Sequence, residues 1–267
     1  PKDYEIVVAL GYKGDMVREY CEAAHSDRTF KFVEVDKYEG EGTGPAYSIN
    51  QCKEHLQRPF IWTTADTIVL DELPKIDTNW LGVYPTGIPE LYATVDVNDN
   101  KAVSLKNKDK QGYNNAFIGL ASVYDYKTFW NELDVDSGEI VSAYYDLDKY
   151  SDMKTKSFDW YDVGTVDNYI KAKNLFKDSK VYSIPKTNGE FLYKVKNNFI
   201  KLSSDKDFIK NRIKRTDDLG ELVPTLNYSG DNVYAYEWVD GDVFYDYENL
   251  EVWEKFLDFA NKNLWEE

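Results

Sequence analysis

The order of apolar segments predicts an α/β protein whose first two-thirds form a parallel, doubly wound sheet. Three strand-length segments, Tyr4–Leu10, Phe30–Val35 and Pro59–Leu70, alternate with helix-period segments to give β-α-β-α-β. The centres Ile6-Val7-Val8 and Phe60-Ile61-Trp62 are continuous apolar runs, as in strands covered on both faces. Glycine-bearing turns sit where the strands should end, at Gly11-Tyr12-Lys13-Gly14 and through Asp36–Gly44.

In chain order, Asp15 is placed to start a helix running to Ala24, with Met16, Val17 and Tyr20 on one face. Pro45 suits the first turn of a helix reaching Leu56, because its missing N–H costs nothing there. The strand Phe60-Ile61-Trp62 leads through Thr63, Thr64 and Ala65 to Asp66, where it should end. Short strands follow at Trp80–Tyr84, Leu91–Val97, Ala102–Leu105 and Ala116–Val123, with a turn at Asn98-Asp99-Asn100. Helices are expected over Asp125–Leu133 and Ile140–Leu147, then a strand Ser157–Trp160 and a helix to Phe176. A composition break over Asp178–Gly189, with Pro185 and Asn188, divides the chain into a unit 1–182 and a smaller α+β unit 186–267. The second unit reads as a hairpin, Phe191–Val195 with Phe199–Leu202, and a helix Asp205–Leu219. A turn Tyr228–Asn232, a strand Val233–Val239 and an amphipathic helix Glu248–Trp265 complete it.

Composition narrows the function classes. The 267 residues are 42% hydrophobic, enough for a sizeable core, and carry a formal net charge of −16. That charge argues against nucleic acid and anionic membranes as partners, although a metal and a few local lysines still admit a nucleotide. Cys21 and Cys52 fall in helical patterns with no Cys-x-x-Cys and no histidine at ligand spacing, as expected of free thiols in a reducing compartment. No apolar run approaches the ~18 residues of a membrane span and no signal peptide is visible, so a cytoplasmic location is expected.

Asp66 and Asp162 are the residues most suited to chemistry. Each follows a strand and precedes a turn or helix, so both can face the crevice where open α/β sheets bind ligands. Two converging carboxylates recruit Mg²⁺ to a nucleotide, the remaining ligands coming from phosphate and water. Alternatively Asp66 caps its turn and Asp162 caps the helix beginning near Thr165. Gly42-Thr43-Gly44 ahead of a helix offers backbone N–H groups to a phosphate or a base edge, or is a plain loop. Lys106, Lys108 and Lys110 form a run suited to a substrate phosphate or to a solvated turn. No nucleophile triad is visible around His25 or His55.

Gly11-Tyr12-Lys13, Gly42-Thr43-Gly44, Thr64-Ala65-Asp66, Asn115 to Gly119 and Trp160-Tyr161-Asp162-Val163-Gly164-Thr165 occur in a telling order. In this respect the first unit resembles the nucleotidyltransferases that make nucleoside-diphosphate sugars and CDP-alcohols. The resemblance implies a Rossmann-like sheet with Asp66 and Asp162 as catalytic Mg²⁺ carboxylates. It implies Gly11, Gly42 and Thr43 on the nucleotide side, and Lys108, Asn115 and Gly119 on the acceptor side. Two departures stand out. Asn107-Lys108 occupies the place where the family usually has Glu-Lys, and no Gly-x-Gly-x-Arg segment precedes Gly11. The sheet is therefore expected to be N-terminally incomplete within this sequence, its first strand supplied by a longer parent protein.

The second unit resembles, more loosely, the N-lobe of small-molecule kinases of the choline and aminoglycoside type. Phe199-Ile200-Lys201-Leu202 is similar to the strand whose lysine pairs ATP phosphates, and Tyr236-Glu237-Trp238-Val239-Asp240-Gly241 to the adenine-holding hinge. No His-x-Asp catalytic loop follows, so a complete kinase is not expected from these residues. A small cap on the first unit is the other reading. The combined expectation is a Mg²⁺-dependent transferase joining an NTP, with CTP favoured, to a phosphorylated sugar or alcohol. Such a product points to surface polysaccharide precursors. A non-catalytic nucleotide-binding or regulatory protein of the same fold is the alternative. A metal-dependent glycosyltransferase is a third reading, against which stands the absence of Asp-x-Asp at Asp66.

Overall fold

The computed structural model describes residues 4–176, 181–185, 189–241 and 249–265. Strand β1 (Glu5–Leu10), helix α1 (Gly14–Ala24) and strand β2 (Thr29–Glu34) form a β-α-β unit. The two strands pair in parallel, from Glu5 opposite Thr29 to Leu10 opposite Glu34. Helix α2 (Pro45–Gln51) follows with Pro45 in its first turn, and the expected continuation to Leu56 is a 3-10 turn over Lys53–His55.

Strand β3 (Phe60–Thr63) does not continue the parallel sheet as expected. It pairs antiparallel with β8 (Asn115–Val123), at the edge of a six-stranded mixed sheet. That sheet also contains β5 (Asn79–Pro85), β6 (Ala93–Asn98), β7 (Lys101–Asn107) and β9 (Met153–Ser157), in the order β3-β8-β5-β9-β7-β6. Within it only β5 and β9 run parallel. A continuous apolar run reports burial on two faces and carries no information on strand direction, which explains the error. The burial itself is present. Phe60 and Trp62 enter one core with Phe117, Phe129, Trp130 and Tyr144, while Ile61 packs on the opposite face against Trp80, Ile118, Leu120 and Phe158. On the first face the Trp62 indole N–H donates to Tyr144 Oη at 2.9 Å, and Phe60 meets Phe129 edge-on at 5.6 Å. Among the described residues β1 pairs only with β2, and β3 only with β8.

Other elements follow the sequence with shifted ends. The β6–β7 hairpin turns at Asp99 and Asn100, both at positive φ, as its two-residue turn requires. Helix α3 (Tyr126–Glu132) forms as expected, but Ile140–Leu147 is not a helix: Ile140–Tyr144 and Leu147–Lys149 are 3-10 turns. The strand expected over Ser157–Trp160 is two strands, β9 ending at Ser157 and β10 (Trp160–Asp162) beginning after a break. Strand β4 (Thr67–Val69), which the sequence does not set apart from the segment Pro59–Leu70, pairs antiparallel with β10. Helix α4 (Val166–Leu175) is capped by Thr165, whose side chain accepts from Asn168 N.

The C-terminal part is a five-stranded antiparallel sheet. It comprises β11 (Val181–Pro185), β12 (Glu190–Val195), β13 (Asn198–Ser203), β14 (Leu226–Ser229) and β15 (Val233–Glu237), in the order β11-β12-β13-β15-β14. The composition break thus contains a strand of this second sheet. The expected hairpin forms around Lys196-Asn197, whereas β14 occupies the start of the segment read as a turn. Helix α5 (Lys206–Leu219), capped by the Asp205 carboxylate on Phe208 N, joins β13 to β14. Helix α6 (Leu250–Ala260) continues as a π turn over Asn261–Trp265.

Helix α1 belongs to both halves. Met16, Ala23 and Ala24 share a core with Val195, Ile200, Leu202, Val233 and Ala235 of the C-terminal sheet. Glu19 Oε2 accepts from Asn232 N at 2.7 Å and Glu19 Oε1 from Asp231 N at 3.2 Å, while Tyr228 Oη donates to Glu22 at 2.8 Å. Among the described residues no helix is long and apolar enough to cross a membrane.

Candidate active site

The site is built on the turn that follows β3. Thr64 N donates to Gly119 O at 2.9 Å, Thr67 Oγ1 donates to Ile118 O at 2.6 Å, and the two threonine hydroxyls meet at 3.0 Å. These bonds pin residues 64–67 to the middle of β8, where Gly119 at φ 69° leaves room for Thr64. The pinned turn presents Asp66 to solvent.

Pairing of β4 with β10 brings Asp162 to this turn. Asp162 lies opposite Thr67, and Val163 N donates to Asp66 O at 2.9 Å. A Cβ on Gly164 would lie 2.9 Å from Asp66 Oδ2 and 3.1 Å from Asp162 Oδ1, which bounds the two oxygens at about 6 Å apart. Asp162 does not cap α4, a task Thr165 performs. Its Oδ1 instead accepts from Gly164 N at 2.8 Å, and its Oδ2 from Tyr92 Oη at 3.0 Å and Asn168 Nδ2 at 3.3 Å. No side-chain hydrogen bond holds the Asp66 carboxylate among the described residues. Nor does any set of three or more His, Cys, Asp or Glu converge among them. With Asp66 exposed and Asp162 Oδ1 engaged by a single donor, the pair nonetheless fits Mg²⁺, which keeps several waters and takes phosphate oxygens as ligands.

The remaining expected residues fall into three places. The Gly42-Thr43-Gly44 loop packs on the segment before the Ile140–Tyr144 turn: Ala46 N donates to Gly138 O at 3.2 Å, and a side chain on Gly44 (φ 153°) would overlap that carbonyl. Thr43 Oγ1 donates to Gly40 O at 2.7 Å, and Lys37 Nζ reaches over Gly42. Gly11, at the end of β1, lies against Tyr38 at the start of the same loop. Lys108, in the left-handed region at φ 48°, pairs through Nζ with Glu139 at 2.9 Å, beside Gly138. Asn115 opens β8 opposite Pro85 and Val95, beyond the end of β3 where Asp66 sits. Lys201 is apart from all of these. It is 6% exposed on β13, paired with Glu190 Oε2 at 2.8 Å and under the Phe208 ring at 4.6 Å.

A cavity of about 410 Å³ opens beside Asp162, walled by Tyr84, Trp160 and Tyr161 and edged by Asn168 and Lys171. Trp160 is met edge-on by Tyr84 at 5.7 Å and Tyr92 at 5.6 Å. Burial, then the bond to Asp162, pushes the Tyr92 hydroxyl up to about 12, so it remains a donor at neutral pH. Tyr92, Glu139 and Lys37 went unnoticed in the sequence. Tyr92 is one of 22 tyrosines and lies in no motif, and Glu139 is separated from Lys108 by most of the β8–α3 segment.

No family model matches this sequence, and no curated protein matches it. Solved structures do. A protein from Bacillus anthracis, assigned as a glucose-1-phosphate thymidylyltransferase and solved in complex with a sucrose, aligns over 69% of this chain and 79% of its own, at 18% identity and a TM-score of 0.55. HddC from Yersinia pseudotuberculosis aligns over 65% of this chain and 79% of its own, at 19% identity and a TM-score of 0.47. The inositol-1-phosphate CTP transferase from T. maritima aligns over 66% and 78%, at 18% identity and a TM-score of 0.47. At these identities the likeness is one of fold. Over the aligned 69% of the chain, the mixed α/β fold is shared with the Bacillus anthracis protein.

Proposed function

We propose that the first unit is a Mg²⁺-dependent nucleotidyltransferase that joins an NTP to a phosphorylated sugar or alcohol and releases pyrophosphate. The observation that carries this reading is the approach of Asp66 and Asp162 to a single point beside Gly164. Asp66 and Asp162 would hold the metal, which supplies charge neutralisation on the nucleotide's phosphates. An oxygen of the acceptor phosphate attacks the α-phosphorus in line. The new P–O bond forms as the bond to pyrophosphate breaks, so the protein's work is positioning and electrostatics. Backbone around Gly11, Gly42 and Thr43 faces the nucleotide, and Lys108 meets the acceptor phosphate, with Asn115 and Gly119 on the acceptor side. The aromatic cavity beside Asp162 gives a ring-bearing acceptor a surface to stack on.

CTP is the nucleotide favoured, and an activated precursor of a surface polysaccharide the product class. The C-terminal unit is read as kinase N-lobe-like and as the source of the phosphorylated acceptor. Supporting that reading are its strand order, the helix between its third and fourth strands, and a buried, ion-paired Lys201 on the third. Its ion pair differs from the kinase arrangement, since Glu190 comes from β12 while α5 contributes Phe208. The test is pyrophosphate release from CTP, UTP, GTP, dTTP and ATP with a panel of sugar phosphates and phospho-alcohols. One pair should turn over in Mg²⁺, and Asp162→Asn should abolish it. Nucleotide binding without turnover for any pair would favour a regulatory protein of this fold.

A further inference from the structure

We propose that Tyr92 is a positioning residue that fixes the Asp162 carboxylate and Lys108 relative to one another. The inference rests on the transferase reading of the site and adds to it a residue that none of the motifs contains.

Tyr92 follows the 3-10 turn Pro89–Leu91 in extended conformation, and its N–H is spent on Pro89 O at 3.3 Å. The register of the β6–β7 hairpin, with Ala93 opposite Asn107, puts Tyr92 opposite Lys108. There Lys108 N donates to Tyr92 O at 3.0 Å, at the point where φ of 48° turns the chain out of β7. The side chain runs the other way. Its ring lies edge-on to Trp160 at 5.6 Å, and its Oη donates to Asp162 Oδ2 at 3.0 Å. One residue thus touches the carboxylate with its hydroxyl, the cavity wall with its ring and the lysine with its backbone.

The carboxylate depends on this contact. Oδ1 is fixed by Gly164 N at 2.8 Å, but the other donor to Oδ2 is Asn168 Nδ2 at the longer distance of 3.3 Å. Without the Tyr92 hydroxyl, Oδ2 keeps only the longer Asn168 bond, so the Asp162 plane is held at one end by Gly164 N and loosened at the other. Loss of a hydrogen bond to a metal-holding carboxylate typically weakens metal binding about 10–100-fold.

The experiment measures Mn²⁺ binding to the whole chain by calorimetry, with a non-hydrolysable CTP analogue present, so that no turnover is needed. Tyr92→Phe keeps the ring and the backbone carbonyl and removes only the donor. Its Mn²⁺ affinity should fall about tenfold with an unchanged melting midpoint. Asn168→Ala, which deletes the longer bond, should lose less. In turnover assays Tyr92→Phe should raise the KM for the metal-bound NTP more than the KM for the acceptor, because the backbone bond to Lys108 is kept. Unchanged Mn²⁺ affinity in Tyr92→Phe, or an equal loss in Asn168→Ala, would overturn the assignment. Mn²⁺ binding by the native chain that Asp162→Asn leaves intact would instead sink the metal site itself, and with it both proposals.

Discussion

At the scale of single residues, sequence neighbours single out the two aspartates as candidates but do not show the groups that surround them. Asp66 stands in the turn just past β3 and Asp162 at the end of β10, positions that the apolar run before each makes visible in the sequence. The Tyr92–Asp162 bond spans 70 positions and exists only because the β4–β10 pairing and the β6–β7 register bring two distant turns together. Thr165 likewise shows why an N-cap reading of Asp162 fails: a β-region hydroxyl one residue before the helix is the better acceptor for Asn168 N. Gly164 carries the sharpest residue-scale prediction. In Gly164→Ala the new methyl group would sit 2.9 Å from Asp66 Oδ2 and 3.1 Å from Asp162 Oδ1, pushing the carboxylates apart. Mn²⁺ affinity should fall by about 10–100-fold while the urea midpoint stays near that of the native chain. A variant that binds Mn²⁺ normally would show that the two carboxylates do not act together.

At the scale of elements, β3 was identified by composition and misjudged in direction. Phe60, Ile61 and Trp62 are apolar because a core lies on each side of the strand, which holds for parallel and antiparallel neighbours alike. Strand β4 is not separable in the sequence from the segment Pro59–Leu70 because three residues are too few to show a period of their own. The Ile140–Tyr144 segment is apolar for the same core that holds Trp62, so burial imitated a helical face. Trp62 is the element's anchor. Trp62→Ala should cost about 3–5 kcal/mol, since it leaves a cavity next to Phe117 and an orphaned hydroxyl on Tyr144. Urea denaturation should show that loss, and Trp62→Phe should recover most of it apart from the hydrogen bond. A Trp62→Ala chain as stable as the native one would mean that β3 frays without consequence.

At the scale of the whole molecule, the sequence marked two units but gave no hint of what joins them. Amphipathicity placed Met16 and Tyr20 on a buried face of α1 without saying whose core they enter, because periodicity names a face and not its partner. Glu19 is the polar part of that junction. Burial holds its carboxyl above the ordinary 4.5, against the opposing pull of the backbone bonds from Asn232 and Asp231. The folded state therefore binds more protons than the unfolded chain over this range, and stability falls as pH rises from about 4.5 through the raised value. Glu19→Gln removes this titration, so its stability should fall less with pH over the same window in a series of urea melts. Parallel pH profiles for the two chains would place the carboxyl in water.

Helix α1 also bears on what a broken backbone would do. Its flank is part of the packing of the C-terminal sheet, while its own strands lie at the other end of the chain. A bond cut between α4 and β11 would divide the sequence without dividing the particle. The two fragments should co-elute in native size-exclusion chromatography and part only in denaturant, and the C-terminal piece made alone should aggregate until the N-terminal piece is added back. Fragments that drift apart after a clean cut would show that the shared helix is a contact and not a joint.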